Sequence, residues 1–174
     1  MKNILRNRFA LSTVVTTLII LVVSVLLAGV VTYFAINVTS TRVQEESLHV
    51  SNQHIWVDET TGNAIGAITI TNTGGRDVVI NKIAVRGQTS PWANVFPNST
   101  ALASDDIAYP SASPYAGFTT AAASELVLPA GAKIGIMITA PDSIGINDIG
   151  LSVSIGVHSA QAVYYSETNI QAHP

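Results

Sequence analysis

From Phe9 to Thr41 the chain runs about 33 positions without a charged residue. A helix of about 20 apolar residues crosses the hydrocarbon core of a bilayer. This segment is long enough to cross and continue, and no other feature restricts the chain so strongly. Lys2, Arg6 and Arg8 precede the run; Arg42 comes after it, with Glu45 and Glu46 close behind. That asymmetry predicts a cytoplasmic N-terminus and an extracellular remainder.

Three fates fit such a segment. A secretory signal would be cut at a small-x-small site. The nearest site is in LLAG, after Ala28, but GVVTYFAINV comes next and is still apolar. A retained single-pass anchor fits the whole run. The third fate is a packed helix. Ser24, Ala28, Gly29 and Thr32 are small residues among Val and Leu, and small residues let helices approach closely.

Past Thr41 the pattern shortens to strands. AIGAITITNT sets Ile68 and Ile70 on one face and Thr69 and Thr71 on the other, a half-buried strand. NTGGRD is a turn, and VVINKIAVRG is the next strand. Its apolar parity changes after Ile80, which predicts a bulge near Asn81 and Lys82. ESLHVSNQHIWVDE alternates in part, ELVLPAGAKIGIMITAP reads as strand, turn, strand, and LSVSIGVHSAQAVYYSETNIQ closes the chain with two strands. Residues 90–124 are rich in Ser, Ala, Pro and Gly and read as a long excursion outside the core. About seven short strands between turn signals predict an antiparallel β-sandwich.

RNRFALSTVV resembles the processing site of archaeal type IV pilins and archaellins, a class III leader. Arg8 and Ala10 match its basic and small positions, and Leu11 and Ser12 resemble the residues beyond the cut. Phe9 departs from the pattern, and Val15 stands where many bacterial pilins have glutamate. ITITNTGGRDVVINKIAV and LVLPAGAKIGIMITAP also resemble the immunoglobulin-like outer domains of those families. The resemblance implies a leader over 1–10, a filament-core or transmembrane helix over 11–41, and an extracellular sandwich over 42–174 with its loop at 90–124. It further implies a leader peptidase, an assembly machinery, a membrane-held precursor and a homo-oligomeric helical filament, with Ser24, Ala28, Gly29 and Thr32 packing the helices.

Chemistry-bearing residues are sparse. The chain has no cysteine, which removes disulfides, thiolate metal sites and a Cys nucleophile. Beyond the apolar run stand five basic residues against eleven acids, the reverse of a nucleic-acid footprint. No GxSxG elbow or P-loop is present. His49 and His54 are five apart, which on a regular strand puts them on opposite faces. Asp105, Asp106, Asp142 and Asp148 match no calcium loop and read as solvated turn acids. Trp56 and Trp92 read as packing anchors rather than carbohydrate platforms. Asn37 and Asn98 head N-x-T sequons, and Asn98, in the excursion, is the better placed for a glycan.

The expectation is a non-enzymatic chain without metal or cofactor: a pilin-like subunit used in adhesion or motility, mainly β with one long N-terminal helix. The second reading is a single-pass, membrane-anchored extracellular β-sandwich that binds a ligand, glycan or neighbour and does not polymerise. A membrane-tethered hydrolase lacks any constellation to support it.

Overall fold

In a computed structural model, the backbone is described for residues 2–43, 45–98, 106–110, 117–121 and 124–173, with side chains for 11–40 and for the described residues beyond 44. The chain divides into two units, 1–43 and 44–174.

The first unit is one helix, α1 (Lys2–Val43). Within its span Leu11–Ser40 the most apolar 18-residue stretch has a mean hydropathy of 2.9, and the span is exposed throughout. Its polar side chains turn inward on their own backbone: Thr16 donates to the Ser12 carbonyl at 2.8 Å, Ser24 to Ile20 at 2.7 Å and Thr32 to Ala28 at 2.8 Å. Hydroxyls satisfied in this way suit a helix surrounded by hydrocarbon. By length and composition α1 is a membrane anchor or a signal sequence, and the second unit is an extracytoplasmic β-domain.

Among its described residues the second unit contains nine strands: β1 (Leu48–Asp58), β2 (Ala64–Asn72), β3 (Val78–Val85), β4 (Gln88–Thr89), β5 (Val95–Asn98), β6 (Leu126–Leu128), β7 (Lys133–Thr139), β8 (Ser152–Ser159) and β9 (Val163–His173). They form one sheet in the order β4-β3-β8-β9-β1-β2-β7-β5, with β6 also on β3. The chain is mainly β with one long helix, as expected. The seven-strand antiparallel sandwich is corrected. The sheet is mixed, because β9 runs parallel to β1 from Ile55↔Ile170 to Asp58↔His173. Ile68 and Ile136 from one half share a single cluster with Ile80, Val85, Ile155 and Val157 from the other. The sheet therefore curls into a half-barrel around its own aliphatic core.

Local chemistry explains the joints. Asn72 is buried and donates through its amide to the carbonyls of Arg76 and Leu128 at 2.8 and 3.0 Å. Its Oδ1 accepts the Gly74 N–H at 3.0 Å. A Cβ at Gly74 would lie 2.6 Å from the Glu45 carbonyl oxygen, so this turn requires glycine. The bulge expected in β3 is present: the register on β8 shifts between Ile80 and Lys82.

A second bulge, in β1, has no counterpart in the sequence pattern. Ser51 pairs with Thr69 and His54 with Ala67, so β1 carries one extra residue at Asn52–Gln53, with Asn52 at φ 51°. Parity reverses there, and His49 and His54 share the outer face instead of opposing each other.

Residues 90–124 are also corrected. Within them, β5 extends the sheet beyond β7, and Thr119 and Ala121 donate to the carbonyls of Pro97 and Val95 at 3.3 and 3.1 Å. Ile107, Phe96, Tyr109 and Phe118 pack with Trp56, Ala67 and Met137 in a second small core. These described side chains lie on the outer face, and β2 and β7 are largely buried on both sides.

Candidate functional site

On the outer face, His54, Trp56 and Asp58 alternate along β1. Ile65 lies opposite Trp56 on β2, and Thr139 opposite Ile65 on β7. The parallel join sets His173 of β9 beside Asp58. Onto this face comes the short segment 106–110. Asp106 Oδ1 lies 2.7 Å from His54 Nε2. The His54 ring stacks on Trp56 at 5.0 Å, Trp56 meets Tyr109 edge-on at 5.7 Å, and Tyr109 stacks on His173 at 3.5 Å. Four rings from three parts of the chain form a continuous series, and such contacts add to simple area burial.

Tyr109 also forms one wall of a cleft of about 360 Å³, lined by Asp58, Thr61, Asn63, Ala64, Ile65, Thr139 and Ala140. The β1–β2 turn forms its rim. Asp58 Oδ1 accepts the N–H groups of Thr60 and Thr61 at 2.7 and 3.0 Å. The Thr61 N–H, then the Thr61 hydroxyl and the Thr60 N–H, hold the Asp58 carboxyl below the usual carboxylate range, and the nearby His173 acts in the same direction. Asp58 is thus kept ionised, a poor state for a proton donor near neutral pH. Ala140 sits at φ 44°, in the left-handed region that side chains rarely adopt, and its N–H donates to the Ala64 carbonyl at 2.8 Å. Among the described residues no group of three or more His, Cys, Asp or Glu gathers as a metal site would require.

The sequence-derived site residues lie elsewhere. Arg8 and Ala10 fall on the α1 backbone, with their side chains outside the described residues; Leu11 and Ser12 are exposed on the same helix. Ser24, Ala28 and Thr32 stand at four-residue spacing along one face, and a Cβ at Gly29 would meet nothing within 4 Å. Asn37 is exposed on the helix. Asn98 is 9% exposed on β5, and its amide nitrogen would lie 3.0 Å from a Cβ at Gly117. The expectation of an open glycan acceptor at Asn98 is therefore corrected; the rest of that sequon lies outside the described residues. Asp105 also lies outside them. Asp148 is engaged rather than free: it pairs with Arg86 at 2.9 Å and accepts the Gly145 N–H at 2.9 Å. Trp56 is buried in the outer core, and Trp92 packs against the inner one.

The ring series escaped sequence reasoning, although one signal was present. His54, Trp56 and Asp58 are separated by two, a face of their own on β1. The partners Tyr109 and His173 are far along the chain and carry no local mark.

No family model and no curated protein matches this chain. Among solved structures, one described as "apo PmoF2 PCuAC domain" matches with a TM-score of 0.46 and 8% identity, over 74% of this chain and 94% of that one. The resemblance to archaeal type IV pilins and archaellins is corrected on the fold itself: the domain is one mixed, curled sheet rather than two antiparallel sheets. The parallel β1–β9 pair departs from the antiparallel sandwich which that resemblance implies.

Proposed function

We propose that this chain is a single-pass membrane protein with a cytoplasmic N-terminus, whose β-domain stands outside the membrane and serves as a non-polymerising binding module. The observation that carries the reading is the pairing of a 30-residue apolar span, Leu11–Ser40, with a β-domain that closes two cores of its own. The helix meets the length requirement of an anchor, and Lys2, Arg6 and Arg8 supply the charge bias for orientation. Binding is favoured over catalysis because Asp58, the one acid among the described lining residues, is held ionised by the N–H groups of its own turn and so is a poor proton donor. No cofactor and no nucleic acid enter this reading.

The test is fractionation with protease shaving of intact cells. The full chain should resist alkaline extraction from membranes, shaving should release β-domain peptides while the basic N-terminus stays protected, and detergent should yield monomers. A soluble product starting near Gly29 would replace the anchor with a cleaved signal, and sheared filaments built of this chain would overturn the non-polymerising reading.

A further inference from the structure

The cleft beside Tyr109 has a donor set that selects among ligand classes. Its volume of about 360 Å³ lies at the low end for small-molecule pockets, roughly 300–1,000 Å³, so it accommodates one ring rather than a peptide. Asp58, held ionised, repels anions. It is also the only acid among the described lining residues, whereas a hard metal cation needs about six or more oxygens. An organic ammonium is held best by a cage of several aromatic faces, whereas the described lining offers one ring, Tyr109, with one of its faces already against His173 at 3.5 Å.

What remains is a neutral ring with a polar rim and an apolar face. Asn63 offers a donor and an acceptor at the rim, and Asp58 offers acceptors. The Thr61 hydroxyl already binds Asp58 and the Thr139 hydroxyl donates to the Asn94 carbonyl at 3.4 Å, which leaves these two as acceptors. Ala64 and Ile65 supply an apolar floor. The Asn63 amide has no protein partner among the described residues, and Asn63 is exposed. A hydroxyl donating to an ionised carboxylate forms one of the stronger kinds of hydrogen bond. The wall is also set in advance. Tyr109 is held by His173 and Trp56, and its segment is tied down by the His54–Asp106 pair. Walls already in place reduce the ordering cost of binding.

We infer that this cleft binds a single neutral monosaccharide unit, with Asp58 and Asn63 taking its hydroxyls and Tyr109 bounding its ring. The inference rests on the binding-module reading and gives that module its ligand class.

The test is saturation-transfer NMR on the full chain in a detergent free of sugar, with D-glucose, D-galactose and N-acetyl-D-glucosamine as probes. Transfer to at least one of them should appear, with a dissociation constant on the order of 1 mM, as about a dozen heavy atoms can supply. Asn63→Ala should weaken it about tenfold, the loss of one good hydrogen bond, with unchanged near-ultraviolet circular dichroism. Asp58→Asn should weaken it at least as much. If Asp58→Asn disturbs the turn, Asn63→Ala decides alone, because its side chain supports no described contact. No transfer to any of the three, equal transfer in wild type and Asn63→Ala, or displacement of the sugar by tetramethylammonium would each overturn the assignment. Failure here with the chain still resisting alkaline extraction removes the ligand and leaves the anchored module. Sugar binding by a chain found only in the soluble fraction does the reverse.

Discussion

The two faces of the β1–β2–β7 layer are closed by different means. The inner face is aliphatic: Ile55, Ile68, Ile70, Ile136 and Ile138 are fully buried against the opposite half of the curled sheet. Strands provide both sides of that contact, and backbone ladders hold them. The outer face is covered by short irregular segments carrying Ile107, Tyr109 and Phe118, pinned by histidines on β1 and β9. One face is sealed by regular structure and area, the other by a few aromatic and ionic contacts. The cleft opens where the second kind of cover meets the β1–β2 turn. Packing of the first kind sets global stability; the second kind provides a surface that can be shaped for a ligand.

The sharpest way to break this contrast is inside. Ile136→Ala removes a fully buried side chain and should cost about 2–5 kcal/mol, with loss of the whole β-domain in one transition. Denaturant unfolding monitored by circular dichroism measures it; a loss below the outer-face value would mean that the inner core does not dominate.

The second test weakens the cover. Ile107→Ala should cost less, about 1–2 kcal/mol, because a short covering segment relaxes more readily than strands do. Limited proteolysis should cut within 106–121 well before any strand is lost. Cleavage of strands and cover together would show the two faces to be one cooperative unit.

The smallest effect sharpens the contrast on the uncovered outer face of β3, β8 and β9. There Tyr165 is 68% exposed and lies close over Gly156, with His158 edge-on at 6.5 Å. Burial, and then the charge of Lys82, hold His158 below the ordinary histidine value. The unfolded chain takes up the proton first, so this contribution to stability is complete above about pH 6.5 and is lost as pH falls through the lowered folded-state value. His158→Gln should flatten melting temperature against pH in that window; an unchanged slope would place the titration elsewhere.

The sequence carried more of the inner face than of the outer. Ile68 and Ile70 alternate with Thr69 and Thr71, and the change of parity after Ile80 exposed the bulge in β3, because apolar residues mark the side they face. The bulge in β1 falls within Ser51-Asn52-Gln53, where every residue is polar, so an extra one leaves no trace in the pattern. The cover reads as an excursion because its Ser, Ala, Pro and Gly dominate a sparse set of aromatics, and sparse aromatics have no period. Asn98 reads as a surface residue for the same reason. The leader-like RNRFA and the strand motifs suggested a filament family, but motifs this short occur on many unrelated cell-surface domains.

Chain chemistry alone determined that residues 11–40 form an apolar helix that must be held in hydrocarbon, removed as a signal or packed against other apolar surface, because an uncharged apolar span of that length is not stable in water by itself. It also determined that the remainder is mainly β, because turn residues and alternation act over a few positions. Tertiary structure decided the rest. Pairing β9 with β1 in parallel brings together residues more than a hundred positions apart, and that choice depends on how the whole sheet curls rather than on any local preference. The same pairing sets His173 beside Asp58 and against Tyr109, and so builds the wall of the cleft.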